Sequence, residues 1–262
     1  MSHQTQRSGQ PVSRRNADGR PARVPSPWME KKISLTVSTA LGASLGIAGA
    51  AARRFPDADP HQLFALGAER PLHLAEEVAR HGLGRRALAR EVLSMTEQDF
   101  LLLDIWAKQK LPHSVYDDIT WTGFIGRTVP DPYQNIFNVV RDGRDAAIRL
   151  VQSTYPGGSL FGWQVDDAAR QSITAAGYGE YFIHRTGHSI HEEDHGNGAN
   201  IDNLETSDSR RLMRGTCFSI EPGVYLKGKF GVRSEVNVYL AEQEAIVTGQ
   251  PVQSHVVPIL SL

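Results

Sequence analysis

An α+β fold is predicted for this chain from about residue 70 onward, on three observations. Two short apolar runs read as strands, two longer stretches carry apolar residues at helical spacing, and the C-terminal third returns to strand-like runs. In order, Leu72, Leu74, Ala75, Val78 and Ala79, then Leu88, Val92 and Leu93, predict two helical stretches separated at Gly82 and Gly84. FLLLDIWA (100–107) and SVYDDITWTG (114–123) predict strands joined by a loop around Pro112. Ile136, Phe137, Val139, Val140, Ala147, Ile148 and Val151 predict a helix after Pro132, and Val165, Ala168, Ala169 and Ile173 a second one ending near Gly177. Beyond it EYFIH, GTCFSIEPGVYL, FGVRSEVNVYL and the terminal VVPIL read as strands.

The 262 residues include 28 Lys and Arg against 29 Asp and Glu, a formal charge of -1 that hides an uneven distribution. Residues 1–56 hold nine basic residues and two acidic ones, a local charge of +7, which leaves -8 for the remainder. The basic residues lie in a polar, Pro-containing stretch without aromatic interleaving, so a disordered basic leader over 1–32 is expected rather than a nucleic-acid-binding face. Residues 33–52 carry no charge, but three Gly and five Ser or Thr dilute the apolar run. A small-residue core helix or a strand–helix pair is expected there, with no stable membrane association. Cytoplasmic residence is the expectation, and export through 33–52 is the alternative. Cys217 is the single cysteine, so an intrachain disulfide and a cysteine-rich zinc site are excluded, and any metal must be held by His and carboxylates.

Five residues carry that chemistry. Asp104, Asp118, His188, Glu221 and Glu235 sit within or at the ends of apolar strand patterns, where an unneutralised charge is costly. Four carboxylates and an imidazole suit Mn, Co, Fe or Zn, and two divalent ions would balance the four negative charges. Asp117 beside Asp118 is a reminder that acidic pairs also arise without a site. Cys217 reads as a small core residue.

The strings HRTGHSIHEEDHG (184–196) and EPGVYLKGKFGVRSE (221–235), with the preceding DDIT, resemble the M24 metallopeptidases of the pita-bread fold, particularly aminopeptidase P and prolidase. The resemblance spans about residues 97–250 and implies a curved antiparallel sheet with flanking helices. It implies that Asp104, Asp118, His188, Glu221 and Glu235 hold two divalent ions, manganese first with cobalt or zinc as alternatives. Asp118 and Glu235 would bridge them. It implies hydrolysis of the Xaa-Pro bond at the N-terminus of peptides or in dipeptides, by a hydroxide held between the ions. Glu221 would also be the acid/base, His184 and His195 would line the substrate site, and Arg233 would position substrate or carboxylates. Peptides are the expected partners, and a homodimer is left open.

Residues 33–99 are expected to be a divergent N-terminal part of the catalytic domain and 100–262 its metal-binding region. Asp104 and Asp118 are 14 residues apart, more than is usual in the family, which fits an enlarged loop around Pro112 and His113. Pro60 and His61 resemble the family's Pro-His pair but lie far upstream, and His73 is a poorer match. His191 stands where glycine is usual, and Asp194 where an apolar residue is usual. These departures support a second reading, a catalytically inactive module that binds peptides or proteins.

Overall fold

The structure, a computed structural model, describes residues 97–109, 111–155 and 157–262, together with the strands Trp28–Ser38, Ser44–Ile47 and Ala51–Arg53. The helical stretches expected at 72–93, the Pro60-His61 pair, His73 and most of the basic leader lie outside the described residues.

Strands β4 (Phe100–Gln109) and β5 (Asp117–Phe124) form an antiparallel hairpin in which Asp104 faces Thr120 and Trp106 faces Asp118. Strand β1 (Trp28–Ser38) pairs with the other edge of β4, β2 (Ser44–Ile47) and β3 (Ala51–Arg53) both pair with β1, and β12 (Val257–Pro258) runs parallel to β5. The described parts of 33–52 are strands, where a small-residue core helix or a strand–helix pair is expected. Ile33, Leu35, Thr36 and Val37 are strand formers, which suits them to β1. Strand β1 and the hairpin form one sheet.

A 24-residue helix, α1 (Asp131–Thr154), starts with proline in its first turn, as the pattern predicts. Its buried face of Ile136, Phe137, Val140, Ala147 and Val151 recurs at helical spacing. It packs against α2 (Gly162–Ala175) and covers a second sheet. That sheet has the order β11 (Ala245–Thr248), β10 (Val236–Leu240), β7 (Cys217–Ile220), β6 (Ser189–Ile190). The apolar residues of both helices and this sheet form one core with Phe100 and Phe124 of the hairpin.

Two of the expected long strands are interrupted. GTCFSIEPGVYL is β7 and then β8 (Gly223–Leu226), broken where Pro222 has no N–H for a ladder. FGVRSEVNVYL is β9 (Phe230–Arg233) and then β10, broken at Ser234 and Glu235. Both breaks fall at proposed ligands, and β8 and β9 turn aside as a separate hairpin. EYFIH is not a strand: residues Gly179–Tyr181 form a 3-10 turn, and the carbonyls of Phe182 and His184 accept from the Arg170 guanidinium of α2 at 3.0 and 2.9 Å. The terminal VVPIL is a two-residue strand followed by a 3-10 turn.

Candidate metal centre

The β4–β5 hairpin places Asp104 opposite Thr120, and the two-residue strand period puts Asp118 on the same face as Thr120. His188 comes from the turn into β6, where the chain presses against β7. A Cβ on Gly187 would lie 2.0 Å from the Ser219 carbonyl oxygen, so only glycine admits that approach. The His188 amide donates to Ser219 Oγ at 3.0 Å and the Ser219 amide to the His188 carbonyl at 2.9 Å. Glu221 follows β7, its amide donating to the Thr186 carbonyl at 2.7 Å, and the Glu235 amide donates to the Thr120 carbonyl at 3.2 Å. Two sheets and a hairpin thus meet at Thr120.

Among the described residues, Asp118, His188 and Glu235 form a group whose ligand atoms all lie within 4.8 Å of one another. They are 6%, 5% and 2% exposed. Asp118 Oδ1 and Glu235 Oε1 are buried without a hydrogen-bond partner. Thr120 Oγ1 lies 3.0 Å from Asp104 Oδ1 and 2.6 Å from Glu235 Oε2, while accepting from Arg233 Nε at 2.9 Å. A hydroxyl has one proton, so it cannot fully satisfy both carboxylates. Orphaned carboxylate oxygens beside an imidazole are costly while ionised unless a cation is present, and this donor set fits a hard or borderline divalent metal.

Glu221 stands beside this group, Oε1 3.3 Å from His188 Nε2 and Oε2 3.6 Å from Arg233 Nε. Asp104 lies outside it, its Oδ2 paired with Arg233 at 2.5 Å. The structure therefore brings together all five expected ligands, three within one ion's reach and Asp104 held by Arg233.

Burial, then the neighbouring Asp118, Glu221 and Asp104, pushes the Glu235 carboxyl well above its ordinary 4.5. Burial, then Asp104, Glu221 and Asp194, does the same to Asp118. Burial alone would raise Glu221 too, but Arg233, His188 and His184 hold it below its ordinary value. Unlike Asp118 and Glu235, Glu221 is held ionised in the metal-free centre. The folded state retains protons on Asp118 and Glu235 that the unfolded chain releases near 3.8 and 4.5, so their contribution to stability is present below those values. It is lost as pH rises through the raised folded values. In a chelator, the melting temperature is expected to fall as the pH is raised from about 4.5 toward neutrality, and the slope to be shallower in Glu235→Gln. An unchanged slope in that variant would remove Glu235 as its source.

His184 Nδ1 lies 2.7 Å from the Arg185 carbonyl, which can only accept, so Nε2 is the acceptor for the Tyr225 hydroxyl at 2.9 Å. Burial lowers its pKa, which keeps it neutral. Both ring nitrogens are engaged within the protein. His195 differs: its side chain is 64% exposed and its ring lies 4.0 Å from that of His188. Cys217 is half-buried and its thiol is pushed up to about 12 by burial, in keeping with a packing role.

Several supporting residues escape a reading by strings alone. Thr120 could be found from its two-residue offset from Asp118. Tyr225 lies in the quoted EPGVY string, and its ring occupies the space over Gly223 and its cross-strand partner Gly231. A Cβ at Gly223 would come within 2.6 Å of the Tyr225 hydroxyl oxygen, and one at Gly231 within 2.6 Å of the ring. Gly231→Ala is expected to cost about 1–3 kcal/mol in chemical denaturation, the usual penalty of overpacking. A change below about 0.5 kcal/mol would show that the ring moves freely. Asp166 of α2 accepts from the Thr186 amide at 2.8 Å and pairs with Arg170. Arg144 of α1 donates to Ser234 Oγ at 2.6 Å, beside Glu235. Both act from helix positions that no local motif marks.

The family model for metallopeptidase family M24 matches residues 74–242 of the chain. The Xaa-Pro dipeptidase of Lactobacillus helveticus is 41% identical over 108 residues, 41% of this chain and 27% of that protein. The crystal structure of dipeptidase PepE from Mycobacterium ulcerans superimposes with a TM-score of 0.52 at 31% identity, over 62% of this chain and 40% of that one. X-Pro aminopeptidase from Thermotoga maritima, at 22% identity, shares the fold with a TM-score of 0.55 over 76% of this chain and 63% of that one. The first curated relatives are matched over only 26 to 49% of their own length. The likeness to these enzymes establishes the α+β fold as the pita-bread one. The chain belongs to metallopeptidase family M24.

Proposed function

We propose that the chain is a metal-dependent exopeptidase that hydrolyses the Xaa-Pro bond at the N-terminus of peptides or in dipeptides. The observation that carries this reading is the Asp118, His188, Glu235 group with its orphaned carboxylate oxygens, in a chain of family M24. The names of relatives such as the Lactobacillus helveticus Xaa-Pro dipeptidase support the substrate class. Asp118, His188, Glu221 and Glu235 would hold divalent ions, two in number and manganese first, with Asp104 joining them if Arg233 yields it. When bound, such ions supply a Lewis acid for the scissile carbonyl and a water of lowered pKa.

The remaining work belongs to side chains. Glu221 is ionised, so it accepts the proton of the attacking water and delivers it to the departing amine. His195, exposed over His188, is the imidazole available to a substrate oxygen. His184 acts indirectly, by fixing Tyr225. Arg233 holds Asp104 and Glu221 in place.

The retained donor set argues against an inactive binding module, which has no chemical reason to keep it. Metal-loaded protein is expected to cleave a Xaa-Pro dipeptide faster than Met-Ala, and Glu221→Ala to lose about 10²–10⁴-fold in kcat. Undiminished activity in that variant would sink the mechanism, and preference for Met-Ala the substrate class.

A further inference from the structure

We propose that Asp194 is a further metal-binding carboxylate of this centre, beyond the five residues that the family resemblance supplies. The inference rests on the metal-dependent reading above. Asp194 Oδ1 is a buried atom without a hydrogen-bond partner, like Asp118 Oδ1 and Glu235 Oε1, on a side chain that is 23% exposed. Its carboxylate lies within hydrogen-bond reach of that of Asp118, with Oδ2 4.0 Å from Nε2 of His195, whose ring lies 4.0 Å from that of His188. Two carboxylates this close are costly to ionise together unless a proton or a cation lies between them, and a divalent ion can take the place of the proton.

The segment that carries Asp194 is held in place. The Tyr116 amide donates to the His191 carbonyl at 3.0 Å, the His191 amide to the Glu193 carbonyl at 3.0 Å, and Gly196 to the Ser189 carbonyl at 2.6 Å. His113 Nδ1 contacts Glu192 Oε1 at 2.7 Å, and Lys108 donates to the Glu192 carbonyl. The end of β4 and the segment before β5 therefore hold the turn that presents Asp194. Charge points the same way. With Arg233 paired to Asp104, the four expected carboxylates carry a net -3, so a further anionic donor beside them adds to the attraction for a divalent ion.

The test is calorimetric titration of Mn²⁺ into the metal-stripped full chain, with thermal melts in chelator and in Mn²⁺. Asp194→Asn is expected to weaken Mn²⁺ binding by about 10–100-fold. It should also raise the melting temperature in chelator and shrink the Mn²⁺-induced shift. Glu193→Gln, which removes the same charge from the neighbouring exposed position, should stay within about twofold of the parent. Asp194→Glu, which keeps the donor, should recover part of the affinity. Parent-like affinity in Asp194→Asn, an equal loss in Glu193→Gln, or a lower melting temperature of Asp194→Asn in chelator would overturn the role of Asp194. Absence of Mn²⁺ binding by the parent protein would instead overturn the metal-dependent reading beneath it.

Discussion

Glu235→Gln is expected to remove tight metal binding and with it nearly all hydrolysis of a Xaa-Pro dipeptide, while making the metal-free protein more stable. The loss should exceed the roughly 100-fold that follows removal of a partner behind a ligand, because Glu235 is itself one of the three residues within reach of a single ion. The gain in stability follows from the surroundings of the carboxylate. It is 2% exposed, its Oε1 has no partner, and Asp118, Glu221 and Asp104 all oppose its ionisation. A glutamine has the same shape without the charge and can still meet Thr120. Metal analysis, turnover and melting in chelator on one preparation would read all three effects. Parent-like metal content would exclude Glu235 as a ligand, and a lower melting temperature would assign it an ordinary structural role.

Arg233→Met should act in the opposite sense on stability. Arg233 lies between Asp104 at 2.5 Å and Glu221 at 3.6 Å and donates to Thr120 at 2.9 Å. Removing the cation leaves two carboxylates facing each other without compensation. Breaking a buried pair costs about 3–5 kcal/mol, and the 19% exposure of both partners places this case near the lower end. Chemical denaturation in chelator should show the loss, and Mn²⁺ should restore part of it by supplying the missing positive charge. An equal loss with and without metal would mean that Arg233 supports the fold independently of the centre.

Much of the site can be read from the sequence because its chemistry is local. A carboxylate in an apolar strand is conspicuous, so Asp104, Asp118, Glu221 and Glu235 announce themselves, and His188 does so through its string. The helices at Asp131–Thr154 and Gly162–Ala175 follow from periodicity. The breaks after Ile220 and Arg233 do not, because apolar content continues through them and only Pro222 marks one. The 180–184 segment looks like a strand by composition, yet its carbonyls pair with Arg170 from a helix more than ten residues earlier, a tertiary contact that propensity cannot carry. The same holds for the site's supports. Arg144 and Asp166 act across sheets and helices, and the pairing of Asp104 with Arg233 depends on where β9 meets β4.

The most direct test is an anomalous difference map from a crystal of the full chain soaked in Mn²⁺. A peak at about 2.0–2.3 Å from carboxylate oxygens of Asp118 and Glu235 and from His188 Nε2 is the predicted result, with a second peak toward Glu221. Occupied manganese elsewhere, with none at these three residues, would contradict the assignment of this cluster as the metal centre.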